Sequence, residues 1–323
     1  MNISDYKTLY HTLCDTVASY PDRAAYCVPP MKGRSYHPDG WEITWGQVLE
    51  GVEAKKNVYA KAGVGHGHRV AILFEQRPEF FFHYYALNAL GAGIVPINPD
   101  YRIEEIKYVI EHSEATLAVC VDARLAELVS IANSISSNLE VVSFDSFPDE
   151  LPLMPAAPRH DEPDADTEAA LLYTSGTTGR PKGCILTNEY FHTFGESYFY
   201  AGGRLGFREE GERLYNPLPL HHANCLSIST PAMLMSGGCV IFPDRFHAST
   251  WWKDLVATKA TAVQFQGIIP NILLKLPEEP EERQHQVRPS SVIKHQQVPL
   301  LNIISISIIF VRESFVSCNM KCA

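Results

Sequence analysis

Residues Leu171 to Gly183 read LLYTSGTTGRPKG. Five hydroxyl-bearing side chains (Tyr173, Thr174, Ser175, Thr177 and Thr178) and three glycines (Gly176, Gly179 and Gly183) crowd around two cations, Arg180 and Lys182. Glycine lets successive backbone N–H groups turn toward one point and the hydroxyls add donors, so the stretch is suited to wrapping the oxygens of a polyphosphate. Lys182 brings a compact positive charge to the same place. A Walker A loop would need Gly directly before its Lys and Ser or Thr directly after it. Here Pro181 precedes Lys182 and Gly183 follows, and both neighbours discourage a helix from starting, so phosphate would not rest on a helix N-terminus. That counts against a phosphotransferase of the P-loop kinase kind. A flexible Ser/Thr/Gly linker is the plainer alternative, although linkers are not usually bracketed by apolar, strand-like runs such as Ala169 to Tyr173 and Cys184 to Leu186.

Along its whole length YTSGTTGRPKG, 173–183, resembles the signature loop of the adenylate-forming superfamily, which includes acyl-CoA synthetases, aryl-CoA ligases, luciferases and the adenylation domains of peptide synthetases. The resemblance implies ATP-dependent activation of a carboxylic acid to an acyl-adenylate, followed by transfer to a thiol, with ATP, Mg²⁺ and CoA as the small molecules. It makes Lys182 a catalytic residue and Thr174, Ser175, Gly176, Thr177, Thr178, Gly179 and Lys182 the phosphate-binding set. No metal ligand is assigned. The leading expectation is an acid–thiol ligase of the acyl-CoA synthetase type, with weaker likeness to carnitine/crotonobetaine-CoA ligases. An adenylation domain of a peptide synthetase is the nearest variant.

Upstream of the loop, apolar strand-like runs alternate with amphipathic helix-like runs. The strands are Val70 to Phe74, Ile94 to Ile97, Leu117 to Val121 and Val141 to Phe144; the helices are Pro78 to Leu90, Ile103 to His112 and Arg124 to Ile135. Ile103, Ile106, Val109 and Ile110 share one helical face. Before these come a helix at Lys7 to Ser19, a loop at Cys27 to Trp41, and a short strand and helix from Ile43 to Ala62. Gly91 and Gly93 in ALNALGAGIVPINPDYR, 86–102, permit a tight helix-to-strand turn, and this segment also resembles a family motif. Downstream, a helix capped by Thr187 or Asn188 runs to Tyr200, and Leu214 to Leu220, Cys239 to Phe242 and Thr261 to Phe265 read as strands between helices at Cys225 to Met235, Ser249 to Thr258 and Pro270 to Leu276.

Alternation of this kind means βαβ units and parallel sheets covered on both faces. The expected fold is therefore α/β, with two packed layers of mostly parallel βαβ units as in the large N-terminal domain of adenylate-forming enzymes. Residues 1–146 form the first subdomain, 147–167 an acidic, proline-rich connector, 168–288 a second subdomain whose sheet begins at the phosphate loop, and 289–323 an atypical tail.

Two further places look chemical. LPLHHANCL, 218–226, sets His221 and His222 after a strand and before a helix, where open α/β folds bind ligands. It resembles the family's LPLFH motif, which makes His222 the family's His, catalytic and on the carboxylate side, while His221 stands where the family has an aromatic residue. A pair of ordinary loop histidines is the alternative. QFQGIIP, 264–270, leaves a strand into a Gly/Pro turn, and by resemblance Gln266 and Gly267, with His221 and His222, border the acyl substrate. Trp251 and Trp252 read as helix core.

Composition narrows the partners. A chain of 323 residues, 46% hydrophobic and 20% charged, is an ordinary globular protein, and its formal charge of −10 offers no general basic surface for nucleic acid. The eight cysteines lack C-x-x-C or zinc spacing and read as free thiols of a reducing compartment, and MNISDYKTLYHTLCD has no apolar signal region, so the cytoplasm is expected and no membrane association. Residues 289–323 hold no Gly or Asp and one Glu, Glu313, whereas the preceding residues hold all 20 glycines and 36 of the 37 acidic residues. With no YGxTE-like segment and no C-terminal lysine domain in the sequence, this change points to a truncated or misread product. The rival to an active ligase is then a catalytically inactive remnant that at most binds nucleotide.

Overall fold

The computed structural model describes residues 7–135, 138–174, 180–199, 210–265 and 268–288. The chain opens with α1 (Leu9–Ser19), β1 (Ala24–Val28), β2 (Trp41–Thr44) and α2 (Trp45–Lys61). It then alternates β3 (Arg69–Leu73), α3 (Phe80–Ala89), β4 (Gly93–Pro96), α4 (Ile103–Ser113), β5 (Leu117–Cys120), α5 (Asp122–Ser134) and β6 (Glu140–Ser143). After the connector come β7 (Glu168–Thr174), β8 (Lys182–Thr187), α6 (Asn188–Phe199), β9 (Arg213–Tyr215), a π-helix (Asn224–Ser229), α7 (Thr230–Ser236), β10 (Cys239–Ile241), α8 (Trp251–Ala257), β11 (Ala262–Val263) and α9 (Ile268–Leu273).

Two mostly parallel sheets result, as expected for this α/β class, but they are not divided at the connector. The first sheet is ordered β6-β5-β3-β4-β7-β8 and the second β11-β9-β10-β1-β2. The expectation that the phosphate loop begins the second sheet is therefore corrected: β7 joins β4 in parallel and β8 closes the first sheet as an antiparallel edge. The second sheet is completed from the N-terminus, by β1 against β10. Cys27 to Trp41, expected as loop throughout, begins and ends in strand. AAYCV is a short apolar run between prolines whose parallel partner lies more than two hundred residues away, so no local pattern announces it.

Strand residues alternate between two cores, as a pleat requires. Val70 and Ile72 face the inter-sheet core with α1, α2, α3, α6 and α7, while Ala71 and Leu73 face α4 and α5 on the outer side. In the second sheet Val240 faces inward, and Cys239 and Ile241 face α8 and α9, where Trp251 and Trp252 are buried as expected. The layers are thus helix, sheet, helix, sheet, helix. Tyr26 of β1 stacks on Phe81 of α3 at 4.6 Å between ring centroids, and Phe81 stacks in turn on Phe242, tying the second sheet to the middle layer.

Buried polar groups make the remaining ties. Thr187 caps α6, its hydroxyl accepting from Tyr190 N at 3.3 Å. Asn188 is fully buried and does something else: Oδ1 accepts from Leu9 N and Asn88 Nδ2, while Nδ2 donates to the carbonyls of Asp164 and Thr167. Asn88 Oδ1 accepts from Tyr10 N. Two asparagines from other elements therefore satisfy the first amides of α1, which has no capping side chain of its own.

Arg69 and Glu168, at the starts of β3 and β7, form a two-pronged ion pair at 2.8 Å per contact across β4. Gly93 lies beneath it, and a Cβ there would sit 2.8 Å from Glu168 Oε1, so this glycine clears a path for the ion pair. The helix-to-strand turn itself falls to Gly91, at φ +73°.

Buried histidines make stability depend on pH. Desolvation holds His83 well below its usual value and pushes His192 down to about 4. Unfolded imidazoles take up a proton near pH 6.5 while the native ones do not, so their stabilising contribution is complete above pH 6.5 and is lost as pH falls toward 4. His192 alone accounts for roughly 2 kcal/mol between pH 6.5 and pH 5. Urea midpoints at pH 7.5 and 5.0 check this, and the drop should shrink in His192→Gln.

Candidate active site

The phosphate-loop stretch is the head of a hairpin. Tyr173 pairs with Gly183 and Thr174 with Lys182, so the chain after Pro181 enters a strand, as the Pro and Gly flanking Lys182 require, and the P-loop alternative loses its helix. Because β7 runs parallel to β4, and β4 to β3, the Thr174–Lys182 rim lies at the carboxyl end of the first sheet with Leu73 and Pro96. Both rim side chains are exposed. Among the described residues Lys182 has no ion-pair partner, which leaves its charge available to a ligand. Ser175, Gly176, Thr177, Thr178 and Gly179 lie outside the described residues.

The carboxyl end of the second sheet carries the histidines. The strand expected over 214–220 stops at Tyr215, because Asn216 Oδ1 accepts from Leu218 N at 3.0 Å and Pro217 has no N–H to give. Asn216 Nδ2 donates to Ser229 Oγ at 2.7 Å, fastening this turn to the π-helix that replaces the first part of the expected helix over 225–235. Gln264, fully buried, donates to Asn224 Oδ1 at 2.6 Å and pins the start of the same π-helix. Single π turns inside helices often accompany functional sites.

His221 and His222 sit at this support with ring centroids 4.3 Å apart and planes inclined by 50°. Burial, with a smaller contribution from His222, pushes the His221 imidazole down to about 3. Burial also lowers His222, the more exposed of the two. Both are neutral at pH 7, so they act as hydrogen-bonding groups rather than cations. The His222 carbonyl accepts from Cys225 N and Leu226 N, which orients the residue at the helix start.

A cavity of about 390 Å³ spans the carboxyl ends of both sheets. Phe74, Gln76 and Pro96 come from the first, Leu220 and His221 from the second, and Tyr36 from the loop between β1 and β2. The structure therefore brings His221 to a cleft between the sheets. Lys182 and Thr174 stand at the same end of the first sheet without lining that cavity, and Gln266 and Gly267 lie outside the described residues. The supporting roles of Asn216, Asn224 and Gln264 escape a sequence reading, although the last two lie within LPLHHANCL and QFQGIIP and Asn216-Pro217 is a turn signal. Among the described residues no group of three His, Cys, Asp or Glu side chains is placed to hold a metal ion. Among the same residues no helix is long and apolar enough to cross a membrane.

The fold is of the α/β class, two mostly parallel sheets with helices between them and on their outer faces. The model of the family described as AMP-binding enzyme matches residues 13–305, and the chain belongs to that family. The crotonobetaine/carnitine–CoA ligase of Proteus mirabilis is 27% identical over 263 residues, 76% of this chain and 49% of its own length. The medium/long-chain-fatty-acid–CoA ligase FadD6 of Mycobacterium tuberculosis is 31% identical over 240 residues, 72% of this chain and 39% of its own. The chain thus spans about half the length or less of these curated relatives. Among solved structures, the inhibitor-bound N-terminal domain of FACL13 from Mycobacterium tuberculosis superposes with a TM-score of 0.71 at 23% identity, covering 87% of this chain and 68% of that one. ATP-bound MatB from Rhodopseudomonas palustris gives 0.67 at 23% identity, covering 87% and 52%. These two likenesses concern the fold.

Proposed function

We propose that this chain activates a small-molecule carboxylic acid with ATP and passes the acyl group to CoA. The observation that carries the proposal is the hairpin rim, where an exposed Lys182 faces Thr174 at the carboxyl end of a parallel sheet. In the reaction a carboxylate oxygen attacks the α-phosphorus of ATP as that phosphorus releases pyrophosphate, which leaves with the bonding electron pair. The thiolate of CoA then attacks the acyl carbon and expels AMP. The thiol acceptor rests on family membership and on the CoA ligases among the relatives.

Lys182 neutralises the charge that builds on the departing pyrophosphate, a task for fixed positive charge rather than proton transfer. Thr174 and the glycines and hydroxyls at 175–179 supply the remaining donors to the phosphates, with Mg²⁺ carried in on the nucleotide. His222, neutral and exposed at the start of the π-helix, lies on the acid side, and His221, Gln266 and Gly267 border the acyl group. The six cysteines among the described residues are free, which supports a cytoplasmic setting.

The test is carboxylate-dependent exchange of labelled pyrophosphate into ATP on the full chain, with short, long and aromatic acids. Exchange with one class of acid supports the proposal and names the substrate. Folded chain that binds ATP without exchange with any acid leaves a nucleotide-binding remnant instead. Because His221 stays neutral down to about pH 3, the exchange rate should show no step between pH 5 and 8 that vanishes in His221→Phe.

A further inference from the structure

The edge strand of the first sheet carries Lys182 and, among the described residues, has a sheet partner on one side only. A second set of contacts reaches it from α4, on the outer face of the same sheet. Tyr108 and His112 are one turn apart on that helix and so face the same way. The Tyr108 hydroxyl donates to the carbonyl of Pro181 at 2.9 Å. Its ring lies under the Arg180 guanidinium, 5.4 Å from the centroid, and meets the Tyr173 ring edge-on at 6.4 Å. His112 Nδ1 is 2.8 Å from the Tyr173 hydroxyl, which also donates to the carbonyl of Val109 at 3.4 Å. Tyr173 precedes Thr174 and Pro181 precedes Lys182, so one helix grips both legs of the hairpin directly beneath its rim.

We propose that Tyr108 is a positioning residue for the phosphate-binding hairpin, acting through Pro181 and Arg180 to fix Lys182 against Thr174, with His112 holding the opposite leg through Tyr173. The proposal rests on the reading that Lys182 meets the polyphosphate of ATP. Pro181 has no N–H, so its carbonyl is the backbone group that Tyr108 can hold. The ring adds a cation–π contact to Arg180 that a hydroxyl alone would not give.

Two variants separate the contributions. Tyr108→Phe keeps the ring and loses the hydroxyl; Tyr108→Leu loses both. Titration with ATP and magnesium should show affinity about 5-fold weaker for the first, the usual effect of one hydrogen bond, and weaker again for the second, with thermal midpoints near that of the parent chain. In pyrophosphate exchange the change should appear in the apparent KM for ATP and not in the apparent KM for the acid, a split that general loss of structure would not produce. Hydrogen exchange of a peptide covering residues 180–186 is followed alongside, and it should quicken in Tyr108→Leu while peptides from the second sheet keep the parent rate. ATP affinity unchanged in both variants overturns the proposal, as does unchanged exchange over 180–186. If the parent chain binds no ATP, the function proposed above fails, and quickened exchange over 180–186 in Tyr108→Leu still shows the grip of α4 on the hairpin.

Discussion

On the proposed function, Lys182→Ala should lower carboxylate-dependent pyrophosphate exchange by about 10²- to 10³-fold, the effect of deleting one preorganised charge-stabilising group. The side chain is exposed at the first position of β8 and packs in no core cluster, so its truncation should leave the thermal midpoint within about 1 °C of the parent. Loss of activity and loss of fold are therefore separable at this position. Lys182→Arg should recover only part of the rate, because a planar fork on a longer stem does not place its charge where a compact ammonium does. Equal exchange rates in parent and Lys182→Ala would remove Lys182 from the reaction and with it the central assignment of the site.

Asn188→Leu should lower the free energy of unfolding by about 3–5 kcal/mol, measured by urea denaturation above pH 7 where the histidine contribution is constant. One amide joins three pieces of chain, namely α1 through Leu9, α3 through Asn88, and the connector through Asp164 and Thr167. Replacing it leaves the Leu9 amide and the Asn88 side-chain amide to find new partners, whereas the carbonyls of Asp164 and Thr167 keep the backbone amides of Thr167 and Asn188. A loss smaller than about 1 kcal/mol would show that these groups are satisfied in another way. Since Asn188 directly follows β8, the same variant should also raise hydrogen exchange at the far end of the phosphate hairpin.

Much of this architecture was legible because its signals are local. The βαβ run from Arg69 to Ser143 follows from period-two and period-3.6 patterns, and the bracketing of the phosphate loop by two strands follows from apolar runs on either side. What escaped depends on distant partners. β1 has no pattern of its own and becomes a strand by pairing with β10. Thr187 and Asn188 both read as caps of α6, and the role falls to Thr187 because four acceptors and donors from elsewhere claim the Asn188 amide. Gly93 read as a turn glycine, whereas its lack of a side chain serves an ion pair between residues 99 positions apart. At the site, the family motifs point to Lys182 and the histidine pair, whereas Tyr108 and Asn216, which support the elements around them, carry no motif, and Gln264 opens QFQGIIP without being singled out there.

The interleaving of the two sheets bears on how the chain is made. β1 leaves the ribosome early, yet its parallel partner β10 follows more than two hundred residues later, so the second sheet cannot close until nearly all the described chain has emerged. Contacts of such long range slow folding and leave an unpaired β1–β2 edge exposed during synthesis. A cut within the connector, 147–167, yields two pieces of which neither holds a complete sheet: the first lacks β7 and β8 as well as β9, β10 and β11, and the second lacks β1 to β6. The connector is a crossing point between two interlocked halves, and expression of either piece alone should give insoluble protein where the two together give a folded one.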